Sequence, residues 1–374
     1  MRVVVLGGAG EVGIALTADL AGRPEVAELT VCDLDTARAE EIVAGLRRAD
    51  PASASRLRAV GLDLRDTAAA LPVLEGADVI ANCTSFTMFD TVVDLAVQAR
   101  VNYADLLSEP TAEQRSAVER AGITAISGLG ASPGLTNVLV RHAVDWLDEL
   151  EEAHISWVSL RTIAPSPGLL DTILWELSDG CPTRQYFHHG RYVAAAFMEG
   201  SRNVDFAAPV GRQRVYFVPH TEVVTPPRHF PGLRFCAVRG SWRPELMDDI
   251  RVLNKYGLLD PEAIEATKAR IWERFGGRRD DSPWRLFLNV EVIGNRAGEG
   301  WRRVYDVGHP DWGQDGVGKM TGICAAVGVQ LLGRHGTRGA GFIDPEVYFD
   351  PQEFLSELAS RSTVTVTWRD EKLL

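Results

Sequence analysis

The residues best placed to do chemistry together stand at the start of the chain. They are Gly8, Gly10 and Gly13 in Arg2-Val3-Val4-Val5-Leu6-Gly7-Gly8-Ala9-Gly10-Glu11-Val12-Gly13. A β-branched run without helical period precedes them, and Ile14 to Leu20 continues as a helix. In a strand–turn–helix of this kind Gly8 permits the tight turn, Gly10 lets the backbone approach a pyrophosphate, and Gly13 lets the helix lie close on the strand. The amides of Gly10, Glu11, Val12 and Gly13 at the helix start then offer N–H groups to that anion. Asp33 closes the next strand, Leu29 to Cys32, about 20 residues after the last glycine, where a carboxylate would accept from an adenosine ribose. Asp33 and Asp35 would repel a 2′-phosphate, so NAD is expected over NADP, with Arg38 the residue able to reverse that preference. Asp63 is a candidate for the adenine edge, and Asn82 and Cys83 end a strand on the same ligand-facing side of the sheet.

The elements that must position these residues alternate over the first third of the chain. Strands are expected near residues 2–6, 29–33, 58–62, 77–83, 101–106 and 123–127, with helices between them. That is the pattern of an α/β fold, a doubly wound Rossmann-type parallel sheet. Beyond residue 135 the character changes. His154–Leu160, Gln185–Ala194, Arg214–Val218, Leu233–Val238 and Arg285–Val307 read as strands joined by hairpins, with helices at 244–256 and 261–275, so an antiparallel α+β domain is expected. Gly316–Leu332 is apolar all round and reads as a buried helix.

Length and composition agree. A chain of 374 residues suggests two or three domains, and 45% hydrophobic with 24% charged residues excludes wholesale disorder. The net charge of −12 argues against nucleic acid or an anionic membrane as partner. Cys32, Cys83, Cys181, Cys236 and Cys324 show no CxxC or Cys/His spacing, so neither a disulfide framework nor a metal site is expected. The chain opens directly in a strand, and Val317–Leu332 contains Lys319 and Gln330 and is too short to span a bilayer, so a cytoplasmic protein is expected.

Three stretches and the ending resemble the saccharopine dehydrogenase family. They are Gly8–Gly13, Tyr103-Ala104-Asp105-Leu106, Gly128-Leu129-Gly130-Ala131-Ser132-Pro133-Gly134-Leu135-Thr136-Asn137, and Gly339-Ala340-Gly341-Phe342-Ile343-Asp344-Pro345-Glu346. The Gly-x-x-Pro-Gly-x-x-Asn pattern is the most specific of them, and the segment order is closest to the lysine 6-dehydrogenase branch. The resemblance implies a Rossmann domain (1–134), an inserted α+β catalytic and dimerisation domain (135–315), and C-terminal helices returning to the first domain (316–374). It further implies a homodimer and hydride transfer at a C–N bond of an amino acid or amine. Ser132 departs from the Asp that saccharopine-forming members carry before the Pro-Gly pair, which leaves the substrate open. An NAD-binding redox sensor without catalysis, or reductive coupling of an amino acid with a keto acid, are the alternatives.

Such a reaction needs a base near the nicotinamide end of the sheet. Asp105 is the first candidate, supported by Tyr103, and Glu109 is its alternate. Asp105 could equally be a buried structural carboxylate capping a neighbouring loop. In the second domain His220 is a further catalytic candidate. Glu222 and Arg228 stand in the same polar, proline-rich stretch, and Arg161 and Arg239 alternate with apolar residues on strands, where either could bind a substrate carboxylate.

Overall fold

The computed structural model describes residues 1–107, 110–361 and 363–373. The chain divides into two compact domains, one of 1–138 with 318–360, the other of 139–317 with 361–374.

The first domain contains β1 (Arg2–Leu6), α1 (Glu11–Ala21), β2 (Glu28–Asp33), α2 (Thr36–Ala49), β3 (Leu57–Gly61), α3 (Thr67–Leu74), β4 (Val79–Asn82), α4 (Phe89–Ala99), β5 (Asn102–Asp105), α5 (Ala112–Ala121) and β6 (Thr124–Ile126). β1, β2 and β4 are buried on both faces because helices cover both sides of a parallel sheet, whereas the edge strand β3 is largely open. With β15 (Gly341–Phe342) at its edge, the sheet runs β15-β6-β5-β4-β1-β2-β3, all parallel. The strand order reverses between β1 and β4, the position at which doubly wound sheets bind their ligands. Helix starts are marked in the sequence: Asp35 accepts from the Arg38 amide at α2, Asp66 from the Ala69 amide at α3, and Thr111 with Gln114 forms a capping box at α5.

The second domain is built on β7 (Glu149–Leu160), α7 (Pro167–Leu177), β8 (Gln185–His188), β9 (Arg191–Ala194), β10 (Arg202–Phe206), β11 (Gly211–Phe217), α8 (Thr225–His229), β12 (Phe235–Trp242), α9 (Pro244–Lys255), α10 (Ile264–Phe275), β13 (Arg285–Arg296) and β14 (Glu299–Gly308). The β8–β9 hairpin turns through His189 and Gly190, both at positive φ, as a two-residue turn requires. The sheet is mixed rather than antiparallel. β12 pairs parallel with β7, after a connection long enough to cross over, while β7–β13 and β13–β14 are antiparallel.

Residues 316–374 are not all helical. α6 (Leu135–Val144) precedes β7, and α11 (Gly316–His335), α12 (Pro345–Tyr348) and α13 (Pro351–Ser360) follow the second domain's strands in sequence. β16 (Thr365–Lys372) is a strand, and it extends the second domain's sheet by pairing with β14. The helical segment Gly313–His335 is longer than expected from sequence. Its length and composition would let it cross a membrane, but 83% of its most apolar window is buried inside the protein.

Candidate functional site

The glycine turn is built from three close approaches. Gly8 N–H donates to the Cys32 carbonyl at 3.0 Å, and Gly10 N–H to the Gly7 carbonyl at 3.1 Å. A Cβ on Gly13 would lie 2.3 Å from the Gly7 oxygen and 2.8 Å from Gly8 Cα, so only glycine lets α1 lie this close to the turn. A Cβ on Gly10 would meet only the Gly7 oxygen, at 3.3 Å, and this residue faces open space. No side chain caps the start of α1. Its first amides are therefore available to an anion, with Val12 among them, as the motif predicts. The Glu11 side chain packs against Gly318, away from that role.

The turn opens onto a cavity of about 380 Å³ bordered by Gly10, Asp33, Asp35, Arg38, Asp63 and Cys83, among others. Asp33 Oδ2 accepts the Ala9 amide at 2.9 Å and Oδ1 the Asp35 amide at 3.1 Å. A carboxylate has about four lone-pair sites, so both oxygens can accept further bonds while the turn fixes their direction. Arg38 Nε donates to the Ala9 carbonyl at 3.3 Å, so a guanidinium borders the same cavity. Asp63 is exposed and accepts the Arg65 amide at 3.0 Å.

Behind the cavity the expected catalytic pair is enclosed. Tyr103 and Asp105 are 1% and 4% exposed. Tyr103 donates its hydroxyl to Asp105 Oδ2 at 2.9 Å and receives Asn82 Nδ2 at 3.0 Å. Ser127 Oγ and Gly128 N–H donate to Asp105 Oδ1 at 2.9 and 3.1 Å, and Leu129 N–H to its carbonyl at 2.7 Å. Asp105 thus clamps the loop after β6. Burial first, then the Asp105 charge, pushes the Tyr103 hydroxyl well above its usual range and the Cys83 thiol up to about 12. Asn82 is also turned inward, its Oδ1 accepting the amide and hydroxyl of Thr84, so it supports the strand end and does not contact the cavity with its side chain. Glu109 lies outside the described residues.

The Gly-x-x-Pro-Gly-x-x-Asn pattern is a folding device of the first domain. Gly130 N–H donates to the Pro133 carbonyl at 2.8 Å, and Asn137 Oδ1 accepts the Gly134 amide at 2.9 Å. Asn137 Nδ2 then reaches Glu346 at 2.9 Å, which joins this loop to the Asp-Pro-Glu ending. Gly134 has φ +115, and a Cβ there would lie 2.4 Å from Gly130 N.

The second-domain candidates separate. Arg239 is register partner of Ser156, on the face of the sheet opposite Trp157. Its Nε donates to the Gly200 carbonyl at 2.8 Å and its guanidinium lies 4.6 Å from the Phe217 ring centre. Burial, then the Arg202 charge, lowers it to about 10. It is buried there, its guanidinium packed among the second domain's aromatic side chains. Arg228 is exposed at the end of α8, and Arg161 is buried just after β7. His220 and Glu222 are brought together with a residue that sequence reading missed, Glu176 on α7. The available signal was Glu176 on the otherwise apolar last turns of α7.

A parallel sheet with this strand order and an uncapped glycine turn at its switch point define a dinucleotide-binding domain. The sequence of the saccharopine dehydrogenase NADP-binding domain matches residues 3–126. Carboxynorspermidine synthase of Vibrio alginolyticus is 25% identical over 291 residues, which cover 69% of this chain and 67% of that protein. Apo saccharopine dehydrogenase (L-Glu forming) from Saccharomyces cerevisiae has the same fold across 100% of both chains, with a TM-score of 0.71 at 15% identity. The chain is thus similar to saccharopine dehydrogenase in its nucleotide-binding domain and in its fold, and the likeness supports a pyridine-nucleotide-binding oxidoreductase.

Proposed function

We propose that the protein is a dehydrogenase or reductase that moves a hydride at a C–N bond of an amino acid or amine, with NAD preferred to NADP. The observation that carries the cofactor half is the unclosed face of Gly10 beside the uncapped α1 terminus, with Asp33 fixed at the end of β2. The amides of α1 would hold the pyrophosphate and Asp33 the ribose hydroxyls. Nicotinamide, when bound, supplies the hydride acceptor or donor. The clamp from Asp105 to the 127–129 loop keeps the ends of β5 and β6 rigid beside it. Arg38 is the group that opposes the NAD preference, since a guanidinium at this edge would attract a 2′-phosphate.

The C–N chemistry is supported by the family and by the amine product in the name of the Vibrio relative. The resemblance to the lysine 6-dehydrogenase branch favours oxidative deamination. A panel of lysine, ornithine, saccharopine and diamines, each with NAD and NADP, tests this by absorbance of the reduced nicotinamide. Amines run with keto acids and the reduced cofactor test the opposite direction. The proposal expects turnover of at least one panel member. Cofactor binding without turnover in either direction would favour the redox-sensor alternative.

A further inference from the structure

Among the described residues the second domain's sheet ends in β16, which pairs with β14 alone. Its ladder with β14 runs from Thr365 to Lys372 without a register shift, and the strand contains no proline. Val366 and Glu371 are half-buried and the rest of the strand is exposed. A long, regular edge offers its backbone donors and acceptors to another chain, and folded proteins block such edges with prolines, bulges or free charges. The charges of β16 do not serve that purpose, because each is neutralised within the chain. Arg303 Nε donates to Asp370 at 2.6 Å, Arg369 Nη1 to Asp306 at 2.8 Å and Lys372 Nζ to Glu299 at 2.6 Å, and Arg302 pairs with Glu371.

Trp368 stands in the middle of this edge. Its ring meets His142 edge-on at 5.2 Å and lies 6.1 Å from Tyr305, yet the residue is 49% exposed. Its neighbours hold the indole on one side and leave the other side as apolar surface in water. A fixed, half-exposed tryptophan is the kind of residue that dominates protein interfaces.

We propose that β16 pairs with β16 of a second copy of the chain, antiparallel about a two-fold axis at Trp368, so that two sheets join into one. Such an axis stands normal to the sheet and sets one residue directly opposite its own copy. Centring on Arg369, Asp370, Glu371 or Lys372 would set like charges face to face, which destabilises a strand pair. Centring before Trp368 shortens the overlap. The register at Trp368 brings the two indoles together and sets Thr365, Val366 and Thr367 opposite the partner's Glu371, the partner's Asp370 and the partner's Arg369. No like charges meet, and every contact is made twice, as in any isologous interface.

The test starts with the molar mass of the full chain by light scattering across the micromolar range, where a dimer is expected. Trp368→Cys treated with diamide should link two chains, since Cβ atoms directly opposite in a strand pair lie about 4.5–5.5 Å apart. Thr365→Cys should not, because this register separates its two copies by about 20 Å. Thr367→Lys sets a second cation opposite the partner's Arg369 at both ends of the pair and should weaken the dimer about tenfold or more, whereas Thr367→Glu should not weaken it. Thr367 is exposed and lies opposite Asp306 within its own chain, where Lys is favourable and Glu unfavourable. An effect confined to one chain would therefore have the opposite sign. A monomer throughout, linking of Thr365→Cys as fast as of Trp368→Cys, or equal dissociation constants for the Lys and Glu variants would overturn the proposal.

Discussion

Tyr103 donates its hydroxyl to Asp105 Oδ2 at 2.9 Å, two residues away on β5, and the pair is sealed from solvent. The Asp105 side chain gathers donors from Tyr103, Ser127 and Gly128. Asp105→Asn would turn an N–H₂ group against one of those donors. It should destabilise the protein by about 1–3 kcal/mol in urea unfolding, with turnover per folded molecule retained. Unchanged stability with turnover lost would restore Asp105 as the base.

Gly10 and Gly13 separate binding from folding. Gly13→Ala puts a Cβ 2.3 Å from the Gly7 oxygen and should cost about 2–4 kcal/mol of stability. Gly10→Ala meets only one atom, at 3.3 Å. It should change stability by under about 1 kcal/mol and weaken NADH about tenfold or more, because the methyl occupies the pyrophosphate's path. Melting curves and NADH fluorescence titration on both variants check this. A Gly10 variant that binds normally would refute the cradle.

Asp33→Ala removes the acceptor fixed by the Ala9 and Asp35 amides. NAD affinity should fall by about 1–3 kcal/mol, and the NADH-to-NADPH affinity ratio should move toward NADPH as the repulsion is lost. The ratio is the informative readout, since a loosened turn would weaken both cofactors alike. An unaltered ratio would contradict the ribose role.

His220 gives a pH signature. Its folded-state value of about 10 lies above the usual 6.5, so its contribution is complete below about 6.5 and is lost as pH rises toward 10. Urea midpoints of the native protein should therefore fall across that window more steeply than those of His220→Asn. Parallel pH profiles for the two proteins would show that the imidazolium is not held by Glu176 and Glu222.

The first domain was legible because each of its elements carries a local sign: β-branched runs, turn glycines, Asp and Thr caps. The β13–β14 hairpin was legible for the same reason, with Ala297 and Gly298 at positive φ in its turn. The parallel pairing of β7 with β12 has no local sign, because it is set by a partner distant in sequence. β16 was missed because its residues are largely exposed at a sheet edge and lack an apolar face. Asp105 was found by position, but the direction of its side chain depends on the turn after β6. Glu176 becomes visible only when packing brings α7 beside His220.

The central claim is direct hydride transfer from a carbon bearing nitrogen to a nicotinamide held on the Gly8–Gly13 turn. The most direct measurement uses amino acids and amines deuterated at that carbon, incubated with NAD and the protein, with the mass of the NADH formed as readout. The account predicts NADH one deuterium heavier than the unlabelled form, and clearly less of it from the Gly10→Ala protein at a cofactor concentration below saturation. NADH without the label, or labelled NADH formed equally well by Gly10→Ala, would contradict it.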